Sequence, residues 1–393
     1  MKQFDVAVIG GGPSGATAAH EMAQRGLSVL LIDRDGRIKP CGGAVPPILL
    51  REFDVPDSRL EARVTSARMV APSNAEVDMD IGGFVGMVDR GSFDPWLRER
   101  AADAGAEYIK GHFDGLDRGA GGALTVRYRP GSKDAALEKA RVGCVIGADG
   151  AASNVRKQAL GHQEKMKHVF AYHEIVRSPA GKTEWFDPER CDVYYQGKVS
   201  PDFYGWVFPH GDCTSVGAGS AIKGFSLRNA VKIMRDNSRL DDNDIVRREG
   251  APLPLKPLKR WDNGRDVVLV GDAAGAVAPS SGEGIYYAMT SGRSAANAVT
   301  EFLASGDAKA LANVRKDFMK SHRWVFFILG IMQYYWYTTD KRREKFVDIC
   351  RDPDVQRLTW EAYMNKKLVR AKPAAHVRIF FKDLAHLVGL NPR

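Results

Sequence analysis

The stretch FDVAVIGGGPSGATAAHEMAQRGLSVLLIDRD, Phe4 to Asp35, decides the fold. Phe4–Ile9 reads as a buried strand, and Gly10-x-Gly12-x-x-Gly15 follows at once. An alanine-rich helix is expected from about Ser14 to Arg25, with Gly26 placed to stop it. Ser28–Ile32 reads as a second strand that ends in Asp33. Each glycine has a physical task. Gly10 permits the tight turn, Gly12 lets a pyrophosphate approach the backbone, and Gly15 lets the helix pack close to the sheet. The helix N-terminus offers free N–H groups and a positive dipole end to that anion. Asp33, 18 residues beyond Gly15, stands where a carboxylate accepts ribose hydroxyls. The unit predicts a dinucleotide site, and the motif alone does not separate a nicotinamide from a flavin.

Two distant segments repeat the design of an apolar strand followed by a carboxylate and glycines. VGCVIGADGAASNVRKQALG, Val142 to Gly161, predicts a strand, a turn at Asp149-Gly150 and a helix capped by Ser153 or Asn154. RDVVLVGDAAGAVAPSSGEGIYYAMTSGRSAANAV, Arg265 to Val299, predicts a strand ending at Gly271-Asp272 and a long helix beginning near Gly284. Ligands of open α/β sheets bind at the carboxyl ends of strands. Asp272 could accept hydrogen bonds from a polyol. The helix near Gly284 would aim its N-terminus at a ligand that gathers negative charge, as a reduced flavin does.

These three segments together resemble the FAD-binding set of glutathione-reductase-type flavoproteins, in the branch shared with aromatic hydroxylases. The resemblance implies bound FAD, with Asp272 on the ribityl chain and Gly284-Ile285 near the flavin ring. Arg90, in RGSFDPWLRERA, matches a cofactor-contacting arginine, and Arg98 is a second candidate. Only one full βαβ fingerprint is present, so NADPH as reductant would visit transiently.

YGWVFPHGDCTSVGAG, Tyr204 to Gly219, carries the substrate side. Tyr204, Trp206 and Phe208 alternate, so in a strand they share one face, and Pro209 is expected to end that strand. Three aromatics on one face make a wall for a long apolar ligand, or simply a sheet face packed in a core. The pattern of Tyr204, Trp206, Phe208, Pro209, Gly217 and Gly219 resembles the substrate-chamber motif of geranylgeranyl reductases. The loop GRIKPCGGAVPP, Gly36 to Pro47, with EFDVP after it, is similar to the chlorophyll and bacteriochlorophyll members of that family. APSNAEVD and IGGFVGMVDRGSFDPWLRERAADAGA continue the likeness, which covers nearly the whole chain and is weakest in the C-terminal tail.

The resemblance implies an NADPH-dependent flavoprotein reductase acting on CH–CH bonds. It would hydrogenate three of the four double bonds of a geranylgeranyl group, carried on (bacterio)chlorophyll or as the diphosphate, to phytyl. Hydride would come from N5 of the reduced flavin and NADPH would reload it. An isolated alkene is not polarised by a carbonyl, so a proton must arrive at the other carbon, where cation-like charge develops. Aromatic faces stabilise such charge and a dry channel keeps water from quenching it. Cys41, Tyr204 or a bound water could give the proton. Gly42-Gly43 would let the backbone lie close to the cofactor, with Cys41 as shape-setter, proton donor or a small buried hydrophobe. Rival readings are an archaeal-type prenyl-lipid reductase, an FAD-dependent aromatic monooxygenase, and a prenyl-binding escort without redox chemistry.

The expected architecture is α/β with three regions. A discontinuous Rossmann-type FAD domain, aromatic-hydroxylase-like, takes 1–61, 89–161 and 264–318. An antiparallel sheet forms a substrate domain from 62–88 and 162–263. A helical region occupies 319–393. Five scattered cysteines contain no C-x-x-C pair, which argues against a disulfide framework, and the nine histidines lack metal-ligand spacing. The N-terminus enters directly into a strand, without the regions of a signal peptide. The longest apolar run, WVFFILGIMQYYWY from Trp324 to Tyr337, is 14 residues, short of the roughly 20 that span a bilayer. The expectation is a cytoplasmic chain, peripheral to a photosynthetic membrane at most, with pigment-synthesis enzymes as candidate neighbours. The net charge of +9 suits phosphates or anionic lipid, and no nucleic-acid motif is present. HVRIFFKDLAHLVGL has helix spacing, read as core packing or as a membrane-facing stripe, and DKRREK (Asp340–Lys345) reads as a solvated face or a contact for anionic lipid headgroups.

Overall fold

A computed structural model describes residues 1–34, 36, 38–161 and 166–366. HVRIFFKDLAHLVGL lies outside the described residues. The strands are β1 Lys2–Ile9, β2 Val29–Asp33, β3 Ala44–Val45, β4 Ala62–Val70, β5 Glu76–Met87, β6 Glu107–Arg118 and β7 Leu124–Pro130. They continue with β8 Glu138–Gly147, β9 His168–Arg177, β10 Arg190–Tyr194, β11 Gly205–His210, β12 Cys213–Ser220, β13 Ile245–Pro254 and β14 Val267–Leu269. The helices are α1 Pro13–Gln24, α2 Pro47–Glu52, α3 Arg90–Asp103, α4 Asn154–Leu160 and α5 Leu227–Asn237. After these come α6 Ile285–Ser305, α7 Asn313–Trp336, α8 Asp340–Ile349 and α9 Pro353–Asn365.

The chain divides into two compact units, each assembled from three stretches. One takes 1–39, 90–169 and 252–323, and the other takes 40–89, 170–251 and 324–393. In the first unit β6, β2, β1, β8 and β14 lie side by side and parallel. β7 runs antiparallel between the second half of β6 and the first half of β8. The central strands are near-continuous apolar runs. Val6, Ala7, Val8, Leu30, Leu31, Val145 and Ile146 are all sealed from solvent, as strands covered on both faces must be. The alanines of α1 keep its inward side thin. Ala16, Ala18 and Ala19 are fully buried, so α6 can approach closely. A Cβ on Gly292 of α6 would overlap the Ser14 carbonyl at the start of α1.

The second unit is built on a mostly antiparallel sheet ordered β13-β9-β12-β11-β10-β4-β5-β3, in which the β10–β4 pair is parallel. One sheet face carries Val176, Val207, Val216 and Ala218 against Ala230, Val231 and Met234 of α5. Ser226 caps α5 by accepting from the Asn229 N–H at 3.3 Å. The other face carries Met79, Cys191, Val193 and Tyr195 against Trp336, Val347 and Cys350 of the later helices. Each fully buried aliphatic side chain of this kind contributes about 1.5–3 kcal/mol.

Two expectations are corrected here. The β11 strand does not end at Pro209 but runs to His210. β10 pairs with β11 only as far as Val207, so beyond that point β11 is an edge on one side and the missing N–H of proline breaks no ladder bond. DKRREK is not wholly solvated. Arg343 within it is 2% exposed and donates to the carbonyls of Pro201 and Tyr337, satisfying backbone oxygens where α7 has ended.

Candidate active site

In the first unit the parallel strands deliver their C-terminal ends to one edge. Ile9 is in register with both Ile32 and Gly147, and Leu269 with Gly147. Backbone bonds continue past the strands. Gly10 N–H donates to the Ile32 carbonyl at 2.8 Å, Ala148 N–H to Ile9 at 2.7 Å, and Val270 N–H to Gly147 at 3.0 Å. Gly10, Asp33, Asp149 and Gly271-Asp272 therefore gather at one edge, although up to 262 residues separate them in sequence.

The glycine turn is close-packed except at one point. Gly10 has φ +104°, and a Cβ there would overlap the Ala148 carbonyl. A Cβ on Gly15 would overlap the Gly10 carbonyl, so helix and turn interlock. Gly12 differs, because its nearest neighbour would be Arg90 Nη2 at 3.9 Å. Gly12 is also the N-cap of α1, with no side-chain cap and Pro13 in the first turn. That combination is a cradle for an anion: open space above a helix N-terminus that has no side-chain cap. FAD fits these residues.

The carboxylates at this edge are each held differently. Asp33 accepts the Gly11 N–H at 2.6 Å, and burial raises its pKa against that bond and against Arg98. Arg98 stands 3.8 Å from Asp33, and Arg90 grips Asp94 through two 2.6 Å bonds, which fixes its guanidinium beside Gly12. Asp149 caps α4. It accepts from the Ser153 hydroxyl, from Asn154 N–H at 2.6 Å and from Val155 N–H at 3.1 Å, and burial raises its pKa. Asp272, 7% exposed, is paired with Lys39. Gly284 is the N-cap of the 21-residue α6, which begins at Ile285 and has no side-chain cap. A Cβ on Gly284 would lie 3.8 Å from Asp272 Oδ1, so this helix start and the carboxylate are adjacent.

Cys41, Gly42 and Gly43 belong to the second unit, together with the aromatic residues. Tyr204 and Trp206 have ring centroids 6.0 Å apart, and Trp206 and Phe208 6.4 Å apart. The three form one continuous string, with Trp206 4% exposed. Phe208 continues to the loop, since a Cβ on Gly42 would lie 3.0 Å from its ring. Gly43, at φ +74°, has no room for one, because it would overlap His210 Nε2 and stand 2.5 Å from the Val88 carbonyl. The half-buried Cys41 Sγ accepts the Gly43 N–H at 3.3 Å. Gly217 lies under the indole, where a Cβ would overlap the Trp206 ring, and Gly219 N–H donates to the Tyr204 carbonyl at 3.2 Å. Burial lowers the His210 pKa to about 4, and its Nδ1 bonds the Phe208 carbonyl at 2.9 Å.

Sequence reasoning missed Lys39 beside Asp272, Gly292 where α6 meets α1, and a buried polar string of Ser215, His173 and Glu249. His173 occupies an inward position of an alternating strand, AYHEIVRS, where an apolar residue is the default. That is a signal for a partnered polar core. The partner, Glu249, is 76 residues away and carried no motif.

A family profile described as FAD dependent oxidoreductase matches residues 5–44. A geranylgeranyl diphosphate reductase of Rhodobacter capsulatus is 52% identical over 391 residues, 99% of each chain. The chloroplastic geranylgeranyl diphosphate reductase of Oryza sativa subsp. japonica is 36% identical, covering 98% of this chain and 87% of its own. In fold, the chain superposes on the crystal structure of a geranylgeranyl bacteriochlorophyll reductase-like protein from Thermoplasma acidophilum. The TM-score is 0.80 at 23% identity, over 100% of both chains. Near-complete coverage at 52% identity leaves no major segment of this chain without a counterpart, and the chain belongs to the geranylgeranyl diphosphate reductase family of FAD-dependent oxidoreductases.

Proposed function

We propose that this protein hydrogenates three of the four isolated double bonds of a geranylgeranyl group, giving phytyl, in (bacterio)chlorophyll biosynthesis. FAD supplies the hydride when bound, and NADPH is its source, one molecule oxidised for each alkene reduced. The backbone of Gly12 and the start of α1 would hold the pyrophosphate, Asp33 the ribose and Asp272 the ribityl chain. Gly284-Ile285 and Arg90 would lie against the remainder, and Asp149 would support that edge through its cap on α4. The observation that carries the substrate reading is the string Tyr204–Trp206–Phe208 ending on Gly42. A smooth aromatic surface excludes water, faces cation-like charge and lets a prenyl tail slide between reductions better than fixed hydrogen bonds would. The proton comes from the Cys41 thiol, the Tyr204 phenol or a flavin-bound water.

The protein works at an anionic membrane surface. Support comes from α7, where Trp324, Phe327, Ile331 and Tyr334 are 52%, 59%, 51% and 83% exposed. Their spacing of three and four residues makes one helical stripe, and Lys316, Lys320 and Arg323 precede it on the same helix. Exposed aromatic and aliphatic residues beside cations are the composition of an interfacial helix. Among the described residues, no helix is long and apolar enough to cross a membrane.

The test is an anaerobic assay with NADPH and, in separate reactions, geranylgeranyl-bacteriochlorophyll and geranylgeranyl diphosphate. Product mass should rise by two hydrogens at a time and stop after three additions. An absolute need for oxygen, or binding without reduction, would overturn the reading. Cys41→Ser and Tyr204→Phe in the same assay identify the proton donor, since the variant that removes it loses turnover without losing flavin.

A further inference from the structure

The second unit contains a buried hydrogen-bonded string that ends on Trp206. Ser215, His173 and Trp206 are 0%, 2% and 4% exposed. Trp206 Nε1–H donates to Ser215 Oγ at 3.0 Å. Ser215 Oγ lies 2.9 Å from His173 Nδ1, and His173 Nε2 lies 2.5 Å from Glu249 Oε2. Arg247 forms an ion pair with Glu249 at 2.7 Å and another with Asp89. The sheet register brings these groups together. Trp206, Gly217 and His173 are direct neighbours across β11, β12 and β9, and β13 brings Glu249 next to β9.

The proton order follows from valence. An indole nitrogen can only donate, so Ser215 Oγ accepts from it. With His173 neutral and its Nε2–H donating to the Glu249 carboxylate, Ser215 gives its single proton to His173 Nδ1. The residues have the order of a nucleophilic triad, yet the hydroxyl is sealed and its oxygen is taken by the indole. The string therefore serves Trp206.

We propose that Ser215, His173 and Glu249 are positioning residues that hold and polarise Trp206 for alkene reduction. This rests on the proposed reading of Trp206 as part of the prenyl-facing surface. Hydrogen bonds in a buried chain polarise one another, and the chain here ends on a carboxylate. That draws the indole proton toward Ser215 and leaves the ring richer in electron density. A richer ring face stabilises cation-like charge more strongly. Gly217 completes the device, because any side chain there would meet the indole.

The test uses the flavin-loaded full chain labelled with 15N at tryptophan. Trp206→Phe identifies the Trp206 indole resonance. Ser215→Ala should move that resonance. Glu249→Gln, which keeps the shape but removes the charge, should move it too, although two hydrogen bonds intervene. In single-turnover reduction, Ser215→Ala and Glu249→Gln should each slow the alkene step about tenfold, with the half-saturating substrate concentration changed less than twofold. Ser215→Ala should add nothing in a Trp206→Phe background. If Ser215→Ala does not fold, the isosteric Glu249→Gln decides alone. An unmoved Trp206 resonance in Glu249→Gln overturns the proposal, as does additivity of Ser215→Ala with Trp206→Phe. Loss of alkene reduction in the wild-type protein would instead refute the proposed function, while the resonance shifts would still report on the string.

Discussion

At the scale of single residues, two glycines three positions apart separate folding from the proposed cofactor contact. Gly15 faces the Gly10 carbonyl, and even a methyl there displaces backbone. Gly12 faces open space, with its nearest neighbour 3.9 Å away. Gly15→Ala should therefore destabilise the chain by several kcal/mol and yield little folded protein. Gly12→Ala should fold with an unchanged apo melting temperature and bind FAD at least about tenfold more weakly, because the methyl would stand where we propose that the pyrophosphate approaches. Thermal melts and flavin titration check both. Equal flavin affinity in Gly12→Ala would remove that residue from the cofactor site. Single residues were also where the sequence was most readable when a motif fixed their positions. The turn glycines and the acidic strand ends were legible because their spacing is local. Lys39 was not, since its partner Asp272 is 233 residues away and nothing in a lone lysine announces a carboxylate.

At the scale of elements, the β11–β12 hairpin stores a pH dependence. His210 ends β11 and is packed against Gly43, within the fields of Asp89, His173 and Arg247. Its folded pKa, about 4, lies below the ordinary 6.5 because burial disfavours the charged ring. Between those values the unfolded chain binds more protons, so the contribution is present above pH 6.5 and is lost as pH falls toward 4. The loss is on the order of 3 kcal/mol at most. Subtracting the denaturation curves of His210→Asn from those of the wild type cancels the buried carboxylates, whose shifts act in other directions. The difference should slope between pH 6.5 and 4 and be flat above. A flat difference throughout would show that His210 is not buried neutral. Element types were largely legible. Apolar runs gave the parallel strands, and alternation gave the antiparallel ones. Pro209 misled because proline stops a central strand, whereas β11 has an unpaired side beyond Val207. Arg343 misled because a charge run looks solvated until distant carbonyls, Tyr337 past the end of α7 and Pro201 in a loop, take one of its members inward.

At the scale of the molecule, each unit is woven from three separate stretches of chain, so local patterns reveal parts and long-range pairing assembles them. The same scale sets the membrane prediction. Wild-type protein should float with vesicles containing anionic lipid, and less so as salt screens Lys316, Lys320 and Arg323. Phe327→Glu combined with Ile331→Glu should reduce flotation about tenfold without altering flavin content. Equal flotation of wild type and variant would place the contact elsewhere. The central claim is that this chain passes hydride to an isolated prenyl alkene, and one measurement tests it most directly. Reduce the bound flavin photochemically under argon, mix with geranylgeranyl-bacteriochlorophyll or geranylgeranyl diphosphate, and follow the return of the yellow oxidised flavin. The account predicts reoxidation without oxygen and one dihydro product per flavin. Flavin that stays reduced with both substrates until oxygen is admitted would contradict it.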